Sequence, residues 1–442
     1  MSVHLAKGTR DHLPDSMRHR LVVIDRLRAV FERHGFAPLD TPAFERIETL
    51  MGKYGDEGSK LTFKILKRGK GGERGECDLA LRYDLTVPLA RVAAMNPGLR
   101  MPFKRWHIAP VWRAERPARG RFREFVQCDV DIVGAEGISA EAECLATAAD
   151  AYRALGLSDW RLRVNDRRLL AAMARAAGAA DRETDLLVAV DKLDKIGRDG
   201  VTAELQGKGF DEASIATVWR LLQVDTSDPA VVLAHLEQHL QGDDVAAALA
   251  DLRALLPLTE ALGVPSERLV IDPTLARGLD YYTGPVFEAE LTEGGIGSVG
   301  GGGRYDGLIG MFGKNDVPAV GFSVGLERLL VVLEERGELP ASEHPVDACV
   351  TVFDDAHRLH SARAAARLRQ AGLSVEMILA PSKLGKQFKH ADAVGARFAI
   401  TIGPDDASAG MWSLKDLKTG QRTQLSPDDA VAHVSGTVRQ DS

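Results

Sequence analysis

The stretch VWRAERPARGRFREFVQCDVD, Val111–Asp131, decides the fold. From Phe122 to Val133 apolar and polar residues alternate. In an extended strand this places Val126, Cys128, Val130 and Ile132 on one face and Phe125, Gln127, Asp129 and Asp131 on the other. The first face is made for a core, the second for polar contacts. An ordinary strand with one side in water has the same pattern. Here, though, the preceding residues also alternate, bringing Val111, Arg113 and Glu115 to one face, and the turn formers from Pro117 to Gly120 can close both runs into a hairpin. Paired in that way, the strands line one surface with Arg113, Glu115, Phe125, Gln127 and Asp131. Guanidinium groups grip phosphoryl oxygens through two parallel donors, and an aromatic ring offers a stacking face to a purine. With carboxylates and an amide beside them, these residue types suit a nucleotide held next to a zwitterionic amino acid.

The chain of 442 residues carries a formal charge of −7, which taken alone argues mildly against nucleic acid as a partner. Its distribution argues the other way. Between Arg100 and Arg123 stand Lys104, Arg105, Arg113, Arg116, Arg119, Arg121 and Arg123 against the single acid Glu115, either a concentrated field for phosphates or a solvated face. Cys77, Cys128, Cys144 and Cys349 lie far apart, without the close pairs of a zinc site or a disulfide framework, and are expected to be reduced. The amino terminus lacks a signal-peptide pattern, and no apolar run approaches the roughly 20 residues that span a bilayer. A cytosolic globular protein of two or three domains is expected.

Working outward, Asp15–Gly35 reads as a capped amphipathic helix with Met17, Leu21, Ile24, Leu27 and Phe31 near helical spacing. An extended segment, Phe36–Phe44, follows with Pro38 and Pro42, which confine it to a sheet edge and make it a candidate interface. From Arg163 to about Leu262 the pattern is helical and alanine-rich, with loops at Gly207–Asp211 and Asp225–Pro229. Strand-like runs return at Leu269–Ile271 and Val286–Leu291, glycines cluster from Gly294 to Gly303, and an exposed linker runs from Arg336 to Pro345. Beyond it, strands at Ala348–Phe353, Ser374–Leu379 and Arg397–Ile402 alternate with helices at Ala356–Ala371 and Leu384–Val394, the mark of a small α/β domain with a largely parallel sheet.

Arg113-x-Glu115, a short arginine-bearing loop, then Phe125-x-Gln127 resembles motif 2 of the class II aminoacyl-tRNA synthetases, which binds ATP and the end of the acceptor stem. Gly321–Arg328 resembles motif 3 of that class, a strand joined to a helix with an arginine near its start. The helix and Pro42 segment near the amino terminus are similar to motif 1, the dimer-forming element. Within the class, Leu275-Ala-Arg277-Gly-Leu-Asp-Tyr281-Tyr282-Thr283 and Gly301-Gly-Gly-Arg304-Tyr305-Asp306 resemble the two peptides that mark the histidyl-tRNA synthetase family. Arg82–Thr86 matches the segment that holds the substrate amino group. Its Tyr83-Asp84-Leu85 form is closer to the eukaryotic and archaeal branch than to the usual bacterial one. Departures from the family pattern are small: Ala276 for a common valine, Phe122 for tyrosine, Val126 for an aromatic or histidine.

The resemblance implies an α+β catalytic domain with an antiparallel sheet, a helical insertion and a C-terminal α/β domain of the anticodon-binding type. The corresponding ranges are 1–170 and 263–335 for the two parts of the core, 171–262 for the insertion and its return helix, and 346–442 for the last domain. It also implies activation of L-histidine with ATP and magnesium, then transfer to tRNA(His), by a homodimer. Arg113 and Arg277 would act at the α-phosphate; Glu115, Arg121, Phe125 and Arg328 would place the nucleotide. Asp84, Thr86 and Gln127 would hold the α-ammonium, while Asp131 and Tyr282, with Tyr281 beside them, would read the imidazole. Lys383, Lys386, Lys389 and His390 fall around one helix, facing either phosphates or solvent. The rival reading is a regulatory paralogue serving an ATP phosphoribosyltransferase; such paralogues typically lack the last domain and erode the marking peptides, both present here.

Overall fold

The computed structural model describes residues 3–51, 61–276, 281–313, 315–340 and 346–441, and divides into two compact units, 1–340 and 341–442. The first unit opens with helix α1 (Pro14–Arg33), which starts on Pro14 with no side-chain cap. Its buried stripe is Arg20, Val23, Leu27, Val30 and Phe31, rotated from the expected one, so that Leu21 is exposed. The rotation brings Arg20 to a buried ion pair with Glu327 at 2.6 Å. Strands β1 (Ala37–Pro38), β2 (Phe44–Arg46), β3 (Lys64–Leu66) and β4 (Cys77–Leu81) follow, and the last three form a small sheet in the order β2-β4-β3. Helix α2 (Thr86–Met95) leads to the hairpin: β5 (Phe103–Trp112) and β6 (Glu124–Val133) pair antiparallel from Phe103↔Val133 to Trp112↔Glu124. The turn expected at Pro117–Gly120 closes it, with an Ala118↔Arg121 bridge.

Next come α3 (Ser139–Ala154) and β7 (Trp160–Asp166), which takes Arg163–Asp166 out of the region expected to be helical. The helices then run α4 (Arg167–Ala176), α5 (Glu183–Val190), α6 (Leu193–Gly207), α7 (Glu212–Leu222), α8 (Pro229–His239) and α9 (Asp243–Ala261). Asp166, Asp211 and Asp228 cap α4, α7 and α8 by accepting backbone N–H bonds. The chain returns in β8 (Leu269–Ile271), β9 (Pro285–Leu291), β10 (Ser298–Arg304) and β11 (Ala319–Gly325), ending in α10 (Leu326–Arg336). These strands complete an eight-stranded sheet in the order β1-β5-β6-β11-β10-β9-β7-β8. It is antiparallel throughout its centre; only the outer pairs, β1 with β5 and β7 with β8, are parallel. The expected edge segment lies at one end as β1. One continuous apolar cluster joins the sheet's back face, α1, α3, α10 and the inserted helices.

The second unit holds β12 (Ala348–Val350), α11 (Arg358–Gln370), β13 (Val375–Met377), α12 (Leu384–Ala393), β14 (Phe398–Thr401), β15 (Trp412–Asp416), β16 (Arg422–Leu425) and α13 (Pro427–Asp441). Its sheet, β13-β12-β14-β15-β16, is parallel across the first three strands and antiparallel across the last two, so the parallel expectation holds only in part. It has its own core around Val350, Leu368, Phe398 and Trp412. Among the described residues no helix is long and apolar enough to cross a membrane.

Candidate active site

Registers across the large sheet build the site. Asp131 lies opposite Arg105 on β5 and Gly321 on β11, and Gly321 lies opposite Gly303 on β10. Two residues along, Asp129 lies opposite His107 and Ser323, and Ser323 opposite Gly301; then Gln127 lies opposite Ala109 and Gly325. Because side chains alternate, these residues share one face: a wall of Gln127, Asp129 and Asp131 beside a floor of glycine and serine. The glycines are required there. A Cβ on Gly321 would stand 2.0 Å from Asp131 Oδ1, and one on Gly303 2.9 Å from the Tyr282 ring.

The wall is buried. Asp129 and Asp131 are each 2 % exposed, although the sequence pattern alone is equally that of a water-facing edge. Asp131 meets the Arg105 guanidinium at 2.7 Å and accepts a hydrogen bond from the Tyr305 hydroxyl. Arg105, itself wholly buried, also donates to Leu85 O at 3.1 Å. Arg105 was grouped by sequence with the phosphate field; that grouping fails, because the ten-residue pairing of β5 with β6 turns its guanidinium onto the aspartates. Lys104 leaves the field too, bonding Glu143 at 2.8 Å, and Arg119 pairs with Glu335.

Asp84, 1 % exposed in the turn before α2, accepts the Val87 N–H at 3.0 Å through Oδ1, while Oδ2 has no hydrogen-bond partner among the described residues. Burial raises its carboxyl to about 6 and that of Asp129 to about 7, the latter with Asp131 adding to the rise and Arg105 opposing it. Thr86 opens α2 and is buried. Gln127 donates from Nε2 to Ser323 Oγ at 3.0 Å, leaving Oε1 unpartnered. Tyr281 and Tyr282 lie with ring centroids 4.7 Å apart and planes tilted by 60°, and Tyr281 meets Tyr305 edge-on at 5.9 Å.

On the nucleotide side, Arg113 donates from Nε to Tyr83 O at 2.9 Å and its guanidinium lies 5.1 Å from the Phe125 ring centre. Phe125 rests on Leu85, Ala109 and Val111. Glu115 pairs with Arg121 at 3.1 Å. Arg328 sits in the first turn of α10 and donates to Ser298 O, with its side chain against Gly120 of the hairpin turn. The neighbouring Glu327 accepts both Arg20 and the Val126 N–H, which fixes the start of α10 against β6. Arg277 lies outside the described residues. Thus Asp84, Gln127, Asp131 and the tyrosines gather on the acid wall, and Arg113, Glu115, Arg121, Phe125 and Arg328 around the hairpin. Arg105, Asp129 and Tyr305 were missed as site residues. Asp129 shares its face with Gln127 and Asp131, and Tyr305 stands inside a marking peptide, so both carried a signal; Arg105 needed the strand register.

A family model described as histidyl-tRNA synthetase matches residues 8–329, and one described as anticodon binding domain matches residues 340–437. The chain belongs to the histidyl-tRNA synthetase family. A histidine–tRNA ligase of Rhodopirellula baltica is 41 % identical over 433 residues, covering 97 % of this chain and 96 % of the relative. One of the archaeon Aeropyrum pernix is 41 % identical, with 97 % of each chain covered. The crystal structure of histidyl-tRNA synthetase from Nostoc superposes with a TM-score of 0.81 at 31 % identity, covering 99 % of this chain and all of that one. The class II synthetase fold expected from the motifs is the fold observed. In this family member the marking peptides supply Tyr282 and Tyr305 beside the acid wall and Gly301 and Gly303 to its floor, and motif 3 supplies the rest of the floor as well as Arg328.

Proposed function

We propose that the chain is a histidine–tRNA ligase, which joins L-histidine and ATP to give histidyl-adenylate and pyrophosphate and then esterifies the histidine to the 3′ end of tRNA(His). The observation that carries this is the buried Gln127–Asp129–Asp131 wall over a glycine floor, beside Arg113 and Phe125, in a chain of this family. Adenylate formation is an in-line attack of a carboxylate on the α-phosphate. It asks for positioning and charge stabilisation rather than a covalent intermediate. Arg113 and Arg277 act on the α-phosphate; loss of either is expected to slow activation about 10²–10³-fold with a smaller change in histidine affinity. Phe125 and Arg328 bracket the adenine, and Arg121 and Glu115 place the phosphates. Magnesium would ride on those phosphates, with Glu115, partly exposed, as a carboxylate in reach.

Asp84, Thr86 and Gln127 hold the α-ammonium, while Asp131 with Tyr282 and Tyr281 reads the ring. A pocket whose buried groups must be paired rejects analogues lacking the matching atoms by roughly 10⁴–10⁵. The ranges 1–170 and 263–335 form the catalytic core, 171–262 the insertion, and 346–442 the domain that binds tRNA, where Lys386 and Lys389 are exposed on α12. The Asp84 form of the ammonium segment places the chain, in this reading, on the eukaryotic and archaeal branch. A groove of about 650 Å³ along β1, lined by Leu39, Pro42, Trp106 and Pro110, is the surface assigned to a homodimer. Sedimentation should give twice the chain mass; a fully active monomer removes that assignment. We place the protein in the cytosol. Charging of a tRNA(His) transcript with labelled histidine tests the whole reading, and equal charging by other amino acids contradicts it.

A further inference from the structure

Asp129 belongs to the buried wall but is given no contact with a substrate in the reading above, yet it stands on β6 between Gln127 and Asp131, roughly 7 Å from each along the strand and on the same face. The groups around it come from several elements. Arg105 of β5 lies 3.9 Å away from its Oδ2 and His107 of β5 is directly opposite. His107 donates from Nε2 to Asp40 Oδ1 at 3.0 Å, and burial with the guanidiniums of Arg105 and Arg82 beside it pushes it down to about 3, so it is neutral. Ser323 of β11 faces Asp129 on the other side; its Oγ accepts from Gln127, and its hydroxyl hydrogen-bonds the Asp129 carboxylate, which favours the ionised form. Asp131 on its own strand, tied to Tyr305, and Asp84 before α2 add negative charge. Arg113 acts on Asp84. Three buried carboxylates therefore converge where Arg105 is the wholly buried guanidinium, and among the described residues Oδ1 of Asp129, Oδ2 of Asp84 and Oε1 of Gln127 lack hydrogen-bond partners.

Fully ionised, the cluster sets three buried carboxylates around one wholly buried guanidinium, with Arg82 also acting on Asp129 and Arg113 on Asp84, and buried charge that is not fully paired is costly. A proton or a cation relieves that cost. We propose that Asp129 is a third recognition carboxylate of the amino-acid pocket, and that the empty pocket keeps a proton on it which the α-ammonium of the entering histidine displaces into solvent. The exchange balances: the Asp129 carboxyl gives its proton to water and the ammonium takes over the negative charge, with no bond to carbon changed. Burial and the neighbouring Asp131 already favour the protonated form near neutrality. The inference rests on the assignment of the site to histidine.

Titration calorimetry of histidine into the full-length protein near pH 7, in two buffers of different ionisation enthalpy, counts the protons released. Net release of a fraction of a proton per site is expected from the wild type, beyond the contribution of the histidine ring measured separately. Asp129→Asn, nearly isosteric, should bind histidine about 10- to 100-fold more weakly and release correspondingly less, with the KM for ATP within about threefold. Equal binding heats in both buffers for the wild type, after correction for the ring, overturn the proposal. So does an Asp129→Asn protein that releases the same number of protons as the wild type. If the wild type neither binds histidine nor exchanges pyrophosphate in its presence, the histidine assignment falls first and this inference with it; normal exchange without proton release strikes the inference alone.

Discussion

Arg105 ties the Asp131 carboxylate to the carbonyl of Leu85 with no exposed surface of its own. Arg105→Met leaves that carboxylate buried and, of its two partners here, bound only by Tyr305. A loss of about 3–5 kcal/mol is expected in urea unfolding, because an abandoned buried charge costs more than the pair contributes. The loss should shrink when Asp131→Asn is made alongside, and equal losses in both backgrounds would show that Arg105 acts mainly through packing. Asp129 gives a pH dependence of known sign. Its carboxyl is raised from 3.8 unfolded to about 7 folded, so the folded state keeps a proton that the unfolded chain has lost. That contribution is fully present below about pH 4 and is lost as pH rises toward 7. Without ligand, Asp129→Asn should therefore melt a few degrees above the wild type near pH 8 and level with it near pH 4.5; a constant offset would deny the raised carboxyl. At this scale the sequence showed which residues carry charge but not how deep they lie. Arg105 and Arg121 look alike in a basic run, yet one is wholly buried and the other exposed.

At the scale of elements, periodicity was legible wherever one face of a strand or helix is apolar. It located β6, α1 and the strands β8 and β9 closely, whereas the other hairpin strand, read around Val111, Arg113 and Glu115, is β5, which ends at Trp112 and leaves Arg113 and Glu115 beyond it. It failed where packing overrides local preference. The glycines of β10 have poor strand propensity, but Gly303 leaves room for the Tyr282 ring, and Gly302 for the backbone of β11. The stripe of α1 turned because Arg20, polar by type, finds Glu327 inside. Gly321→Ala tests the floor. Its added carbon collides with Asp131 Oδ1, so the KM for histidine should rise at least about 100-fold while the KM for ATP changes little. Equal damage to both substrates would point to a general loosening of β11. The insertion is tied to the sheet by Arg163, which bonds Asp272 at 2.7 Å and Asp194 of α6 at 3.3 Å. Nothing in its local sequence distinguishes that arginine from Arg161, its exposed neighbour two residues back on β7.

For the molecule as a whole, the two units have separate apolar cores, one spanning the large sheet and the inserted helices, the other around Phe398. A protein ending at Pro340 should fold, since no strand of its sheets lies beyond β11. It is expected to retain histidine-dependent adenylate formation within about tenfold while losing most of its efficiency with tRNA; loss of both activities together would mean that the units depend on each other for the first step. The division into a synthetase core and a final α/β domain was legible because the alternation of elements changes at the linker. The antiparallel strands β15 and β16 were not, being short and half polar. The central claim is that the acid wall and the hairpin together activate histidine. Exchange of labelled pyrophosphate into ATP tests it most directly: with the purified full-length chain and magnesium, exchange should require histidine and be absent with the other amino acids. Exchange that is absent with histidine, or that another amino acid supports equally, would contradict it.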